Sequence, residues 1–202
     1  MSTILVSKKA PNFTAPAVLE NNSIINEFNL YERTKDKYTV LFFYPLNFTF
    51  VCPTELISIN HRINEFKNLN TEIISISVDS QFSHYTYKNT PIKNGGIGPV
   101  KFVMVSDVKH TICKSYEIEH PNEGISLRGT FIIDKNRIIR HQSINDLPIG
   151  RNIDEILRIL NAIQTFETNG NVCPAGWENG KKTIHPSSEG IIKFLQLNSE
   201  TL

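Results

Sequence analysis

A seven-residue run rich in β-branched and aromatic residues, 38–44, constrains the fold of this chain more than any other feature. It has the length of a strand, is apolar on both faces and ends at Pro45, as expected of a buried central strand. Beyond a short loop, apolar residues recur at helical spacing over residues 56–66. Pro53 suits the first helical position, which makes Cys52 the N-cap residue or its neighbour. The chain is therefore expected to pass from a buried strand into a helix that begins at a cysteine.

The order of strand and helix patterns repeats along the chain and predicts an α/β fold. Further strands are predicted at residues 72–78, 102–105, 130–133 and 137–144, and further helices at residues 81–88, 108–116 and 152–166. The pattern weakens beyond Asn171, where prolines and glycines recur and only residues 191–197 have helical spacing. We therefore expect a central mixed β-sheet flanked by helices in residues 1–168, followed by a C-terminal arm in residues 169–202.

Composition and charge restrict the functions open to these 202 residues. The formal net charge is +1, and no stripe of Lys and Arg alternates with aromatic residues, so we expect no nucleic-acid partner. No apolar run approaches the roughly 18 residues that cross a bilayer, so no membrane partner is expected. The N-terminus lacks the apolar core of a secretory signal, which favours the cytoplasm; a transit peptide removed beforehand would leave the mitochondrion open. Three cysteines in such a chain indicate reduced thiols.

Cys52 is the cysteine best placed to react. The partial positive charge at a helix N-terminus favours its thiolate over its thiol. Nearby, Pro45 can shield the sulfur, Thr49 supplies a hydroxyl, and Glu55 can reach back to the free amides of the first turn. Glu55 also occupies the second cysteine position of a Cys-x-x-Cys pair, which disfavours a disulfide reductase. The alternative is that Cys52 is an inert, buried residue.

Residues 43–55, FYPLNFTFVCPTE, closely resemble the active-site segment of typical 2-Cys peroxiredoxins, with Pro45, Thr49 and Cys52 at the Pro-x-x-x-Thr-x-x-Cys spacing. Further segments look like segments of that family in the same order: residues 77–84, 95–98, 127–129, 145–151 and 172–177. The resemblance covers nearly the whole chain. It implies a thioredoxin-like fold, which the order of strands and helices also suits.

The resemblance implies a role for each residue around Cys52, the expected nucleophile. Thr49 would hydrogen-bond the peroxide, and Pro45 would limit the access of water. Arg128 would donate to the sulfur and to the substrate oxygens, which suits an arginine because it stays protonated and carries several rigid donors. Glu55 and Arg151 would hold these residues in position without contacting the peroxide themselves. The alternative is that both arginines are surface charges of little energetic consequence.

Cys173 resembles the resolving cysteine of the family, which forms a disulfide with Cys52 across a dimer interface. The implied substrates are hydrogen peroxide and alkyl hydroperoxides, and the implied reductant is thioredoxin or a similar dithiol protein. The implied assembly is a homodimer, which can associate into a decamer of five dimers. No cofactor is expected, and no metal site, because the six histidines show no ligand spacing. Cys113 is expected to be a small buried helix residue.

Three departures from the family pattern are present. Asn47 stands where aspartate is common, Tyr87 where tryptophan is common, and Phe194-Leu195 where peroxide-sensitive members have Tyr-Phe. The last departure predicts incomplete sensitivity of Cys52 to over-oxidation. The sequence leaves two alternatives to this two-cysteine peroxidase open. One is a holdase chaperone or peroxide relay, and the other is a one-cysteine peroxidase recycled by an external thiol.

Overall fold

The computed structural model describes residues 4–201. The strands are β1 (Thr14–Val18), β2 (Ile24–Asn29), β3 (Tyr38–Phe43), β4 (Thr71–Ser77), β5 (Val103–Ser106), β6 (Arg128–Ile133) and β7 (Ile139–Asn145). The helices are α1 (Leu30–Arg33), α2 (Cys52–His61), α3 (Ile63–Asn68), α4 (Gln81–Asn89), α5 (Thr111–Ser115), α6 (Ile153–Asn169) and α7 (Ser188–Asn198). Single 3₁₀ turns lie at Ile92–Asn94 and Ser199–Thr201.

The strands of the described chain form one sheet in the order β2-β1-β5-β4-β3-β6-β7. β3 is an interior strand next to the middle one, parallel to β4 on one side and antiparallel to β6 on the other. β4 and β5 are parallel, whereas the outer pairs are antiparallel. Every residue of β3 is buried, as its apolar sequence predicts for a strand covered on both faces. The predicted central strand and mixed sheet are confirmed.

The helix predicted to continue through residues 56–66 is interrupted. The amide of Arg62 bonds to the carbonyl of Ile59 at 3.0 Å, and with φ −98° and ψ 6° this residue ends α2 before α3 begins. Ile59, Ile63 and Phe66 are nevertheless all buried. The apolar spacing correctly identified one buried face, but spacing alone does not show that the backbone is continuous.

The β1–β2 hairpin is an element that the sequence pattern did not predict. β1 pairs with both β2 and β5, while β2 forms the edge of the sheet. Most residues of β2 are at least partly exposed, and only Phe28 is buried. An edge strand of this kind lacks the strong apolar signal of a buried one, because solvent covers much of its surface.

The chain divides into two compact units, one ending at Ile153 and one beginning at Asp154. The sheet and α1–α5 belong to the first unit. The second contains nearly all of α6, an irregular segment and α7, whose N-cap Ser187 accepts a bond from the amide of Gly190 at 3.0 Å. No helix among residues 4–201 is long and apolar enough to span a bilayer. The division expected after residue 168 stays a prediction.

Lys88 is a fully buried cation in α4. Its ammonium donates to the carbonyl of Leu19 at 2.6 Å and to that of Phe102 at 3.3 Å, so it joins α4 to the β1–β2 turn and to the segment before β5. Burial lowers the pKa of Lys88 from 10.5 to about 8, and the charge of Glu20 only partly opposes this effect. The folded protein therefore holds this proton less tightly than the unfolded chain.

We expect Lys88 to make stability rise with pH between about 8 and 10.5, because the unfolded state binds more protons than the folded state in that window. The unfolding free energy of the wild type minus that of Lys88→Met should increase by about 2–3 kcal/mol across it. Urea unfolding at several pH values measures this difference. Lys93→Met, at an exposed lysine, is the matched control. Parallel curves for wild type and Lys88→Met would contradict the assignment.

Candidate active site

Cys52 is the first residue of α2 and is fully buried. The N-cap is Val51, which offers no side-chain cap. Pro53 therefore occupies the second helical position and not the predicted first one. The thiol therefore lies at the positive end of a ten-residue helix. The sequence correctly placed this cysteine where the loop after a buried strand enters a helix.

Arg128, the first residue of β6, contacts the sulfur directly. Its Nη1 donates to Sγ of Cys52 at 3.4 Å and to Oε2 of Glu55 at 2.9 Å. Its Nε donates to the carbonyl of Leu147 at 2.7 Å, which fixes the plane of the guanidinium. The side chain is only 4% exposed, so Arg128 is not the surface charge that the sequence left as an alternative.

Glu55 bonds to two buried arginines. Its oxygens accept from Arg128 and from Arg151, whose Nε, Nη2 and backbone amide lie 2.9, 3.0 and 2.9 Å away. The expectation that Glu55 would reach back to the amides of the first turn is wrong, since both its oxygens are used by arginines. Burial holds the pKa of Arg151 below its ordinary value, while Glu55 opposes that shift.

The charged side chains around Cys52 do not balance one another. Two arginines and one glutamate leave a net charge of +1 in a region where all three side chains are at most 4% exposed. An uncompensated buried charge is costly, and the sulfur of Cys52 is the neighbour to which Arg128 donates. Arg151 also lies over the ring of Phe42, 3.2 Å from its centroid, and donates to the carbonyl of Gly129 at 2.8 Å.

A cavity of about 440 Å³ lies beside this cluster and is mostly apolar. Pro45, Thr49 and Arg128 line it, together with Leu147 and Pro148. Arg128 therefore both lines the cavity and contacts the buried sulfur. The structure thus brings all the residues predicted around Cys52 to one place in the first unit.

Asn47 anchors the loop that carries Pro45 and Thr49, a role that the sequence did not reveal. Its Oδ1 accepts from the hydroxyl of Tyr44 at 2.8 Å, and its Nδ2 donates to Oγ of Ser83 at 2.8 Å. Nδ2 also lies 3.1 Å from Nδ1 of His84. Burial lowers the pKa of His84 to about 4. These contacts tie the loop to α4, which sequence spacing could not show.

Cys173 lies in the second unit and is half-buried. Its thiol donates to the carbonyl of Ala162 at 3.7 Å. Burial raises the pKa of Cys173, and the nearby charge of Arg158 partly opposes this rise. The third cysteine, Cys113, is buried in α5 as expected, and burial together with Asp107 raises its pKa to about 12.

One group of three side chains in the described chain could offer ligands to a metal ion: His110, Cys113 and Glu119, whose ligand atoms lie within 4.8 Å of one another. Nδ1 of His110 and Oε1 of Glu119 are already paired at 2.6 Å, while the thiol of Cys113 points to the carbonyl of His110 at 3.4 Å. All three side chains are therefore engaged within the protein.

Comparison with known proteins places the chain in a family. Residues 6–142 match the AhpC/TSA family, and residues 162–196 match a family described as the C-terminal domain of 1-Cys peroxiredoxin. The chain belongs to the peroxiredoxins of the AhpC/TSA family. Alkyl hydroperoxide reductase C from Buchnera aphidicola subsp. Acyrthosiphon pisum is 52% identical over 95% of this chain and 98% of its own.

Two further relatives of this peroxiredoxin are informative. The mitochondrial thioredoxin-dependent peroxide reductase of Drosophila melanogaster is 48% identical over 96% of this chain and 82% of its own. The crystal structure of reduced Plasmodium vivax 2-Cys peroxiredoxin has a TM-score of 0.91 at 44% identity, covering 96% of this chain and 99% of that one. The expected thioredoxin-like fold and the expected enzyme class, a peroxiredoxin peroxidase, are confirmed.

We expect Glu55→Gln to lower the unfolding free energy by about 3–5 kcal/mol, because it leaves two buried arginines without their carboxylate. Chemical denaturation of the reduced protein measures this change. Glu65→Gln is the matched control, since Glu65 makes only an exposed pair with Arg62 at 3.5 Å and should cost less than about 0.5 kcal/mol. Equal losses in the two variants would contradict the proposed charge cluster.

Proposed function

We propose that this peroxiredoxin reduces hydrogen peroxide and alkyl hydroperoxides through the sulfur of Cys52. The observation that carries this proposal is the 3.4 Å contact between Arg128 Nη1 and Cys52 Sγ, inside a buried set of charges that a thiolate makes neutral. The nucleophile of a peroxidase must be ionised at neutral pH, and a permanently charged guanidinium supports that state without reacting itself.

In the first step, the Cys52 thiolate attacks one oxygen of the peroxide. A sulfur–oxygen bond forms, the oxygen–oxygen bond breaks, and the leaving alkoxide or hydroxide takes up a proton to become an alcohol or water. Arg128 is placed to donate where negative charge moves from sulfur to oxygen. The hydroxyl of Thr49 already donates to the carbonyl of Leu46 at 2.9 Å, so its free lone pairs can accept the peroxide O–H.

In the second step, the sulfenic acid at Cys52 condenses with Cys173 of a partner subunit to give a disulfide and water. A dithiol protein such as thioredoxin would then reduce that disulfide. The Drosophila relative, named a thioredoxin-dependent peroxide reductase, supports this choice of reductant. On this proposal, residues 169–202 act as the arm that carries the resolving cysteine.

The deciding experiment follows oxidation of the reduced protein by hydrogen peroxide, with non-reducing gels of each cysteine variant. We expect Cys52→Ser to lose rapid peroxide consumption, and Cys173→Ser to reduce one equivalent without forming a covalent dimer. Cys113→Ser should behave as the wild type and is the matched control. Slow consumption that does not depend on Cys52 would contradict the proposal and favour the holdase function, whose protective activity should survive Cys52→Ser.

A one-cysteine peroxidase is the second candidate, because residues 162–196 match a family described from 1-Cys peroxiredoxins. That mechanism predicts no dimer dependent on Cys173 and full turnover of Cys173→Ser with a small external thiol. The gels of the previous experiment distinguish the two mechanisms directly.

We propose that homodimers associate further into a ring of five dimers through an aromatic surface beside the active-site loop. Phe48 and Phe50 of that loop are 50% and 94% exposed, and Phe82 and Tyr85 of α4 are 65% and 43% exposed. The bonds of Asn47 to Ser83 and His84 hold the loop against this helix. Large exposed aromatics in one region are typical of association surfaces.

We expect Phe50→Asp to shift the reduced protein from the ring to dimers, because a charge would be buried at the subunit contact. Analytical ultracentrifugation at micromolar concentration measures the assembly. Val108→Asp, at another exposed apolar residue of the first unit, should leave it unchanged. An unchanged sedimentation coefficient for Phe50→Asp would refute this surface as the contact.

The proposed compartment is the cytoplasm, with the mitochondrion as the alternative. The relatives include bacterial proteins and a Drosophila protein named as mitochondrial. Cell fractionation with an antibody against the chain would decide between them.

A further inference from the structure

Cys173 lies in a closed loop formed by residues 172–184. Val172 and Ile184 exchange two backbone hydrogen bonds of 2.9 Å each. Inside the loop, the indole N–H of Trp177 donates to the carbonyl of Lys181 at 3.1 Å, and this tryptophan is only 3% exposed. The loop is therefore a folded element although it contains no helix or extended strand.

Helix α6 holds this loop at two points that are one helical turn apart. The thiol of Cys173 donates to the carbonyl of Ala162 at 3.7 Å, and Nη1 of Arg158 donates to the carbonyl of Trp177 at 2.9 Å. Arg158 and Ala162 are four residues apart in α6 and so lie on the same face. The second of these bonds is charge-assisted and therefore the stronger.

Arg158 is held in the orientation that this bond requires. Its Nε and Nη2 donate to the two oxygens of Glu155 at 2.6 and 2.8 Å, which is a bidentate pair. A planar guanidinium fixed on one edge presents its remaining Nη1 in a defined direction. The structure thus contains a chain of contacts from Glu155 through Arg158 to the backbone of the Cys173 loop.

The arrangement of Cys173 is unsuited to disulfide formation. In that step the Cys173 thiolate attacks the sulfur of the Cys52 sulfenic acid, a sulfur–sulfur bond forms, and the sulfur–oxygen bond breaks. The departing hydroxide takes up the thiol proton and becomes water. The attacking sulfur must therefore be deprotonated and open to a second sulfur, whereas Cys173 is half-buried with its S–H directed at Ala162.

We propose that Arg158 is a positioning residue that holds the Cys173 loop on α6, and that breaking its bond to Trp177 limits the rate of disulfide formation. The inference rests on the proposed role of Cys173 as the resolving thiol. While the loop stays bound, the sulfenic acid at Cys52 remains available to a second peroxide, which oxidises it to sulfinic acid and is itself reduced to water or an alcohol. Arg158 thereby sets the division between disulfide and over-oxidised enzyme.

The single tryptophan of the chain, Trp177, makes the test direct, because its fluorescence reports on this loop. Reduced protein is mixed with hydrogen peroxide in a stopped-flow instrument. We expect Arg158→Gln to accelerate the disulfide-forming phase by about threefold to tenfold, the range that one partly exposed, charge-assisted hydrogen bond contributes to an opening equilibrium. The rate of Cys52 oxidation should be unchanged, and mass spectrometry should show less sulfinic acid at equal peroxide.

Two further variants keep the test independent of folding defects. Glu155→Gln weakens the support of Arg158 and should give a smaller acceleration. Lys193→Gln, at an exposed cation of α7, is the matched control and should match the wild type. The pH dependence of the disulfide-forming phase distinguishes release of the Cys173 loop from a direct effect of the Arg158 charge on the Cys173 thiol. Release alone changes the rate of this phase without moving the pH midpoint of its profile.

The two proposals fail in different ways. If Cys52 oxidises and the Cys173 disulfide forms, but Arg158→Gln and Glu155→Gln resolve at the wild-type rate or more slowly, the role of Arg158 is refuted and the proposed function stands. If the wild type forms no disulfide through Cys173, the proposed two-cysteine function fails, and the role of Arg158 fails with it.

Discussion

The carboxylate of Glu55 determines the arrangement of the other charges around the sulfur of Cys52. It accepts from Arg128 of β6 and from Arg151, which follows β7, while its own helix carries Cys52. None of these charged side chains could be buried without its partners. The helix, the strand and the later loop therefore have to meet at this point.

The other side of the site is held by neutral hydrogen bonds. Asn47 ties the loop after β3 to α4, and Thr49 donates its proton to the carbonyl of Leu46. The charged side and the neutral side of the site therefore offer different hydrogen-bonding groups. Arg128 offers donors beside the sulfur, whereas Thr49 offers an acceptor beside the cavity. A peroxide, which has both an acidic O–H and oxygens that gain negative charge, requires both kinds of group.

The two cysteines that we propose for the reaction are held in opposite ways. Cys52 is buried at the start of a helix, and its sulfur accepts a bond from Arg128. Cys173 is held as a thiol, because its proton is donated to Ala162 and burial raises its pKa. On the proposed mechanism, Cys52 reacts in the folded state, whereas Cys173 reacts only after a local opening of its loop.

The sequence alone determined the features that depend on neighbouring residues. The apolar run of β3, the cysteine at the start of α2 and the amphipathic pattern of α6 each follow from short-range periodicity or turn chemistry. Tertiary structure decided the rest. Glu55 meets partners 73 and 96 positions away, so its local position suggested a helix cap and not an ion pair. The anchoring by Asn47 and by Arg158 was hidden for the same reason, because a polar side chain bonds to whichever segment the fold brings within about 3 Å of it.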